Sequence, residues 1–225
     1  MKPLLCILAL KLALVLPHAV LAQESLAELD SKALTRLAEQ GNADAQVALG
    51  DELLMYQNQK EATGWYMQAA QQNHPQAQYR LGVLHRGMST AQSAEQARQW
   101  FERAAQQGHD QAQQALGFIY QYGRGVEQDM ELAEHWYAQA AEQGNADAQQ
   151  ALGAIFAARQ DYAKAHYWFE LSAEQGHPLA LTSLGGLYEH GEGVKQDKAR
   201  ARALYEQVCE AGQLIGCDKL ENLGK

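Results

Sequence analysis

The chain has 225 residues, with 27 acidic and 18 basic side chains and a formal net charge of −9. No basic patch stands out, which argues against nucleic acid and anionic lipid as partners, because both are bound largely through lysine and arginine. The acidic balance favours solubility and a preference for a basic partner.

The first 22 residues are typical of a secretory signal peptide. A basic start at Lys2 is followed by a mostly apolar run over residues 4–16, and Val20 and Ala22 supply the small residues of a cleavage site. An uncleaved membrane anchor is the alternative, but Lys11 interrupts the run and leaves no clean span of about 20 apolar residues. We predict cleavage after Ala22, a periplasmic or secreted location, and no membrane contact by the mature chain.

One pattern recurs five times through the rest of the chain. A Leu-Gly pair begins at Leu49, Leu81, Leu116, Leu152 and Leu184, and an alanine stands four residues before each pair. Self-similarity at this spacing predicts stacked supersecondary units that hold one another up and expose a long surface. The units are predicted near residues 45–76, 77–111, 112–147, 148–179 and 180–215, between capping segments at 23–44 and 216–225.

Each unit is predicted to contain a helix A, a loop of variable length and a helix B. The turns between units carry Gly or Asn, as a left-handed helix end requires: Gly41, Asn73, Gly108, Gly144, Gly176 and Gly212. Helix B is expected to begin at residues that cap free backbone N–H groups: Asn58, Ser93, Asp129, Asp161 and Asp197. The two loops at 123–126 and 191–194 read Gly-x-Gly-Val, which permits a tight reversal but lacks the strand and third glycine of a phosphate-binding loop.

Helix B carries a repeated aromatic pair that faces small alanines. The pairs are Trp65-Tyr66, Trp100-Phe101, Trp136-Tyr137 and Trp168-Phe169. Their spacing from the alanines places them on one face of an amphipathic helix. We therefore predict that the tryptophans belong to the core, and that the glycines of the Leu-Gly pairs let neighbouring helices approach closely.

The combined pattern Ala-x-x-x-Leu-Gly-x-x-Tyr, Gly-x-Gly-Val, Asp, Ala-x-x-Trp and Ala-Ala-x-x-Gly resembles the Sel-one-like repeat, a relative of the tetratricopeptide repeat. The unit from Ala112 to Gly144 matches nearly every slot, whereas the second unit lacks the Gly-x-Gly-Val turn. The resemblance implies an all-α fold, a right-handed α-solenoid of about five helix-turn-helix repeats in one domain over residues 23–225. Family members serve as adaptors and scaffolds in bacterial envelopes and in signalling, and a few neutralise toxic effectors.

Two cysteines remain once the signal peptide is removed, Cys209 in the last helix B and Cys217 in the segment that follows. They lie on either side of the turn at Gly212, and this spacing predicts a disulfide in an oxidising compartment. The paired cysteines of cysteine-rich secreted members of the family are similar. A redox-active pair would instead favour Cys-x-x-Cys spacing.

The sequence lacks the signatures of common catalytic sites. Gly-x-Ser-x-Gly, His-Glu-x-x-His and Ser-x-x-Lys do not occur. His74, His109 and His177 each follow a turn between units and are predicted to top solvated turns one repeat apart, so they would not converge on one metal ion. We therefore predict no catalytic residue, no metal site and no cofactor.

In solenoids of this family helix A lines the concave face, and its slots outside the core vary between units. Some of them carry Tyr, Phe and Arg, the residue types that anchor interfaces, although scattered surface aromatics are also ordinary on soluble proteins. The candidate partner-binding residues are Val47, Asp51, Tyr79, Val83, Arg86, Phe118, Gln121, Tyr122, Gln150, Thr182, Glu189 and His190.

We predict a periplasmic or secreted adaptor or scaffold that is not an enzyme and that binds a protein partner along this face. The first alternative is an immunity protein that neutralises a toxic envelope-directed effector. The others are an envelope hydrolase, such as a β-lactamase-like enzyme, and a structural role in a polysaccharide or motility complex.

Overall fold

The computed structural model describes residues 30–88 and 90–223, and the predicted signal peptide at 1–22 lies outside them. Across these ranges the secondary structure is twelve helices without a strand, which confirms the all-α prediction. The helices are α1 (Ser31–Glu39), α2 (Ala43–Met55), α3 (Gln59–Gln71), α4 (Pro75–Arg86), α5 (Ala91–Gln106), α6 (Asp110–Tyr122), α7 (Met130–Glu142), α8 (Ala146–Ala158), α9 (Tyr162–Glu174), α10 (Pro178–His190), α11 (Lys198–Glu210) and α12 (Leu214–Leu223).

The helices stack in chain order as five antiparallel hairpins. Helices A are α2, α4, α6, α8 and α10, and each packs most extensively against the helix B that follows it. Helix α1 covers the first hairpin and α12 covers the last. Helix α8 also contacts α6 and α10, whereas no two helices B contact each other as closely within the described ranges. The solenoid prediction is therefore confirmed, and α6, α8 and α10 approach one another as helices on the inner side of a solenoid do.

The predicted caps of helix B are present in four of the five units. The side chains of Asn58, Asp129, Asp161 and Asp197 each accept a backbone N–H three residues further on. The prediction for the second unit is wrong by three residues, because α5 begins after Thr90. There the backbone N–H of Ser93 donates to Thr90 Oγ1 at 3.0 Å and the Thr90 N–H donates back to Ser93 Oγ at 3.2 Å. Ser93 thus completes a capping box within the helix.

The histidines between units also have a different role from the one expected. His74, His109 and His177 are the N-cap residues of helices A, where each Nδ1 accepts a backbone N–H. Each Nε2 lies 2.7–3.0 Å from a side chain of the preceding unit, namely Asp44, Gln76 and Asp147. They therefore link units instead of topping solvated turns, and burial lowers the pKa of His109 below its usual value.

The glycine of each Leu-Gly pair lies directly against an aromatic ring of the helix B that follows it. A Cβ added to Gly117 would come within 2.6 Å of the Tyr137 ring, and the glycines at the same position of the other units meet Tyr66, Phe101, Phe169 and Tyr205 in the same way. Real Cβ atoms do not approach so closely. The predicted close approach of helices at these glycines is therefore present in every unit.

The two aromatic residues of helix B differ in burial. The second is enclosed, with Tyr66 and Phe101 fully buried and Tyr137 only 2% exposed. The tryptophans are half-buried. Trp100, Trp136 and Trp168 each pack against a core cluster of the preceding unit, and Trp65 packs against the cluster that α1 forms with α2. The tryptophans thus pack against the core, as predicted, but they are not fully buried. Neighbouring helices B lie too far apart to cover the outer edges of the tryptophan rings.

Pairs of glutamines, which we call the glutamine ladder, join the start of helix A to the end of helix B in four of the five hairpins. They were not predicted from the sequence. One glutamine follows the helix A alanine and is buried, and its Oε1 accepts from a second glutamine just before the next turn. The pairs are Gln46–Gln72 at 2.9 Å, Gln78–Gln107 at 2.7 Å, Gln113–Gln143 at 2.7 Å and Gln149–Gln175 at 2.8 Å. In the fifth unit Leu181 and Ala211 occupy the two positions, so the ladder ends there.

Candidate partner-binding groove

The candidate partner-binding residues do not all lie on the surface. Val47 is 7% exposed and packs in the core of the first two units, and Thr182 is also 7% exposed, with its hydroxyl donating to the Pro178 carbonyl at 2.9 Å. Both positions were expected to face a partner. Val47 is therefore a packing residue, whereas Thr182 bonds to its own helix and lies at the edge of a cavity.

Three polar candidates hold the hydroxyl groups of buried tyrosines. Tyr66 donates to Asp51 at 2.5 Å, and the other two pairs have donor–acceptor distances of 2.8 Å, namely Tyr137–Gln121 and Tyr205–Glu189. Burial, together with the hydrogen bond to Asp51, raises the pKa of Tyr66 well above its usual value. A buried hydroxyl needs a partner, so these residues have a structural duty besides any contact with a ligand.

Tyr79 and Val83 also contribute to packing between units. The Tyr79 ring stacks on His109, with centroids 4.8 Å apart and planes 20° apart, and it tilts against Phe101 at 5.9 Å. Val83 packs beside Tyr79 against the same core cluster. Both side chains are half-buried, so only part of each faces the inner side of the solenoid.

Four candidates meet in one cavity of about 370 Å³ on the inner side. Phe118, Gln121, Tyr122 and Gln150 line it together with residues at the start of α10. The Phe118 and Tyr122 ring centroids are 4.6 Å apart, and Tyr122 is 55% exposed. The structure therefore brings together residues from two units that the sequence placed on a common face but could not place in contact.

Two further cavities continue this one in both directions. The first, of about 460 Å³, lies towards the N-terminus and includes Arg86 and Phe118. The third, of about 420 Å³, lies towards the C-terminus and includes Ala154, Thr182 and His190. Phe118 belongs to the first and second cavities and Ala154 to the second and third. We call this row of three cavities the groove.

Some groove residues were not predicted from the sequence. Leu179 is 48% exposed beside Tyr122 in the second cavity. The corresponding position in the other units is Asp44, Gln76, Gln111 or Asp147, so one apolar residue in a polar slot was the available signal. Arg124 and Lys219, in the first and third cavities, lie in a loop and in α12, outside the helix A slots that were considered.

Three further observations concern metal binding, membrane-spanning helices and the two cysteines. Over residues 30–88 and 90–223, no group of three or more His, Cys, Asp or Glu side chains could hold a metal ion. No helix in these ranges combines the length and apolar character needed to cross a membrane. The sulfurs of Cys209 and Cys217 lie 1.94 Å apart, and their Cα atoms are separated by 4.8 Å.

Comparison with known families agrees with the helical hairpins. The Sel1 repeat matches five consecutive ranges, 43–74, 75–109, 110–145, 146–177 and 178–213, and each range begins at the first residue of a helix A. The chain belongs to the Sel1 repeat family. No curated protein matches this Sel1 repeat chain.

Solved structures with the same architecture include two of comparable sequence similarity. The protective antigen c5321 of uropathogenic Escherichia coli, which displays an SLR fold, is 31% identical with a TM-score of 0.69 over 85% of this chain and 51% of the antigen. The chain thus spans about half the length of that antigen. A Sel1 repeat protein from Oxalobacter formigenes is 32% identical with a TM-score of 0.68, over 79% of this chain and 74% of its own.

An immunity protein of Pseudomonas aeruginosa, Pa5087, shares the fold at lower identity. It is 20% identical with a TM-score of 0.54, over 83% of this chain and 74% of its own. At this identity the comparison speaks to the fold alone.

Proposed function

We propose that this Sel1 repeat protein is an exported binding scaffold that holds a protein partner along the groove and has no catalytic activity of its own. The observation that carries the proposal is the row of three neighbouring cavities, in which each shares a lining residue with the next. It presents Tyr122 and Leu179, which are 55% and 48% exposed, beside polar side chains. Exposed aromatic and aliphatic anchors within a concave, partly polar surface are typical of protein interfaces.

Export is proposed from the signal peptide pattern of residues 1–22 and from the cysteine pair. The Cα atoms of Cys209 and Cys217 are 4.8 Å apart, a separation that a disulfide spans, and disulfides persist in oxidising compartments. The bond would tie the last helix B to α12. We therefore place the mature chain in the periplasm or outside the cell.

The second candidate function is that of an immunity protein. Structures of three Pseudomonas aeruginosa proteins share the fold, and two of them are described as immunity proteins. Such a protein would bind one toxic partner tightly and suppress its activity, whereas an adaptor would bind several partners more weakly. The groove is compatible with either mode, so the number of partners is the property that separates them.

The test is capture of partners by the exported chain after light crosslinking in the envelope. Tyr122→Ala with Leu179→Ala removes the exposed anchors of the groove, and Tyr167→Ala on α9, which is 54% exposed, is the matched control. We expect the groove variant to lose the captured protein and the control to keep it. Retention by the groove variant would contradict the proposal, and one partner at fixed stoichiometry would favour the immunity function.

A further inference from the structure

One position of helix B that lines the first cavity is small in the second unit. Six residues before the tryptophan, the third and fourth units carry Met130 and Tyr162, whereas the second unit carries Ala94. In the fourth unit the Tyr162 side chain packs against the loop glycine of the next unit, Gly193. Ala94 faces Gly125 in the same way but has no side chain beyond Cβ, so the space between the two loops stays open.

The floor of this cavity is apolar and its rim is positively charged. Phe118, Ile119 and Ala97 contribute to the floor, and Arg86 and Arg124 stand at the rim without a carboxylate among the lining residues. Neither arginine forms an ion pair with any residue that the structure describes. The Arg86 guanidinium also lies 5.8 Å from the centroid of the Phe101 ring, which holds it beside the opening.

Two arginines in this position favour a negatively charged ligand, although the chain as a whole carries a net charge of −9. Arginine retains its charge at all physiological pH values and pairs well with carboxylates. The cavity, of about 460 Å³, is large enough for a bulky side chain. Net charge describes the long-range field, whereas contact chemistry is decided locally, so the preference for a basic partner suggested by composition does not apply at this cavity.

We propose that the first cavity anchors a segment of the partner protein in which a large apolar side chain is flanked by aspartate or glutamate. The apolar side chain enters the space above Ala94, and the flanking carboxylates pair with Arg86 and Arg124. This anchor rests on the proposed function, since it specifies the chemistry by which the groove selects its partner.

The probe for this anchor is a library of random twelve-residue peptides displayed on phage and selected on the full chain. Three variants separate the contributions. Ala94→Tyr fills the cavity with the residue that the fourth unit carries at the same position, and Arg86→Glu with Arg124→Glu reverses the rim charge. Arg202→Glu, at an exposed position of α11, is the matched control for charge. Thermal unfolding of each variant verifies that it is folded.

We expect the selected peptides to share a large apolar residue with Asp or Glu within three positions. Binding of such a peptide, with both termini blocked, should weaken about tenfold or more in the cavity-filling variant, which loses the space for the apolar side chain, and in the rim-reversed variant, in which two attractions become repulsions. Binding should stay unchanged in the control. Selected peptides without acidic residues, or failure to select any, would overturn the anchor.

The same peptides distinguish failure of the anchor from failure of the groove. Some peptides could bind the Ala94 and arginine variants unchanged but fail to bind the variant with Tyr122→Ala and Leu179→Ala. That result would overturn the anchor and leave the groove as the binding site. Peptides that bind all of these variants unchanged would overturn both the anchor and the groove as binding sites.

Discussion

Gly117 lies against the face of the Tyr137 ring, so close that an added Cβ would meet ring carbon Cδ1 at 2.6 Å. The Tyr137 hydroxyl extends past this contact and donates to Gln121 at 2.8 Å. One glycine and one aromatic residue thus set the distance between the two helices of the hairpin. The same pair recurs in every unit, which is why helix A and helix B pack closely without a large side chain between them.

Gly117→Ala is expected to lower the free energy of unfolding by about 1–3 kcal/mol, because the tyrosine ring is held in a packed core and must shift. Gly64→Ala is the matched control, since Gly64 also lies within a helix but its Cβ would meet nothing within 4 Å. That substitution should stabilise the protein by about 0.5–1 kcal/mol. Urea unfolding followed by circular dichroism measures both, and equal effects of the two substitutions would contradict the close-packed pair.

The glutamine ladder predicts an energetic coupling between Gln113 and Gln143. Gln143→Ala leaves the buried Oε1 of Gln113 without its donor and should cost about 1–3 kcal/mol. Adding Gln113→Leu gives the Leu and Ala combination found in the fifth unit and should recover part of the loss. A double-mutant cycle on the unfolding free energy measures the coupling, and additive effects would show that the hydrogen bond has no energetic role. Gln106→Ala, at an exposed end of α5, is the control.

The cap at His109 predicts a loss of stability in mild acid. Burial lowers the pKa of His109, so the folded protein favours the neutral imidazole, whose Nδ1 accepts the Ala112 N–H. In the unfolded chain the histidine pKa is about 6.5. The contribution of His109 is therefore complete above that pH and is lost as the pH falls from there through the lowered folded value.

His109→Asn isolates this effect, because Asn42 and Asn145 cap helices A at the same position in other units. The variant should keep the cap and show a smaller drop in melting temperature between pH 7.5 and pH 5 than the parent protein. Identical pH dependence in the two proteins would exclude His109 as a source of the acid sensitivity.

Tyr79 and Tyr122 are expected to behave differently although both lie on the inner side. Tyr79→Ala removes the stacking on His109 and the contact with Phe101, so it should lower the free energy of unfolding by about 2 kcal/mol. Tyr122→Ala removes an exposed ring and should leave stability nearly unchanged while weakening partner binding. Thermal unfolding of the two variants is the measurement, and a larger loss for Tyr122→Ala would show that its ring is part of the core.

The proposed disulfide between Cys209 and Cys217 predicts a response to reductant. In the chain-entropy estimate, closing this loop stabilises the protein by about 2.5 kcal/mol, so reductant should lower the melting temperature of the exported protein but not that of Cys217→Ser. Alkylation and mass measurement without reductant should find neither thiol free. A mass shift for two alkylated cysteines would contradict the bond.

Most of the fold could be predicted from the periodicity of the sequence, since the alanine, Leu-Gly and aromatic positions each repeat a residue type that packing requires. The start of α5 was misplaced because Thr90 and Ser93 are both good caps and only the loop geometry selects the first. The inner surface was harder to predict. Whether Asp51 or Gln121 faces a partner depends on which tyrosine hydroxyl reaches it, and that distance is set by the packing of two helices.

The groove is tested most directly by a photoreactive amino acid placed at Tyr122 and, separately, at Tyr167. These residues are 55% and 54% exposed, but the first lies on helix A in the groove and the second on helix B at the outer side. We predict that irradiation of cells joins a protein partner to position 122 and not to position 167. Crosslinks at position 167 with none at position 122 would show that the partner binds elsewhere.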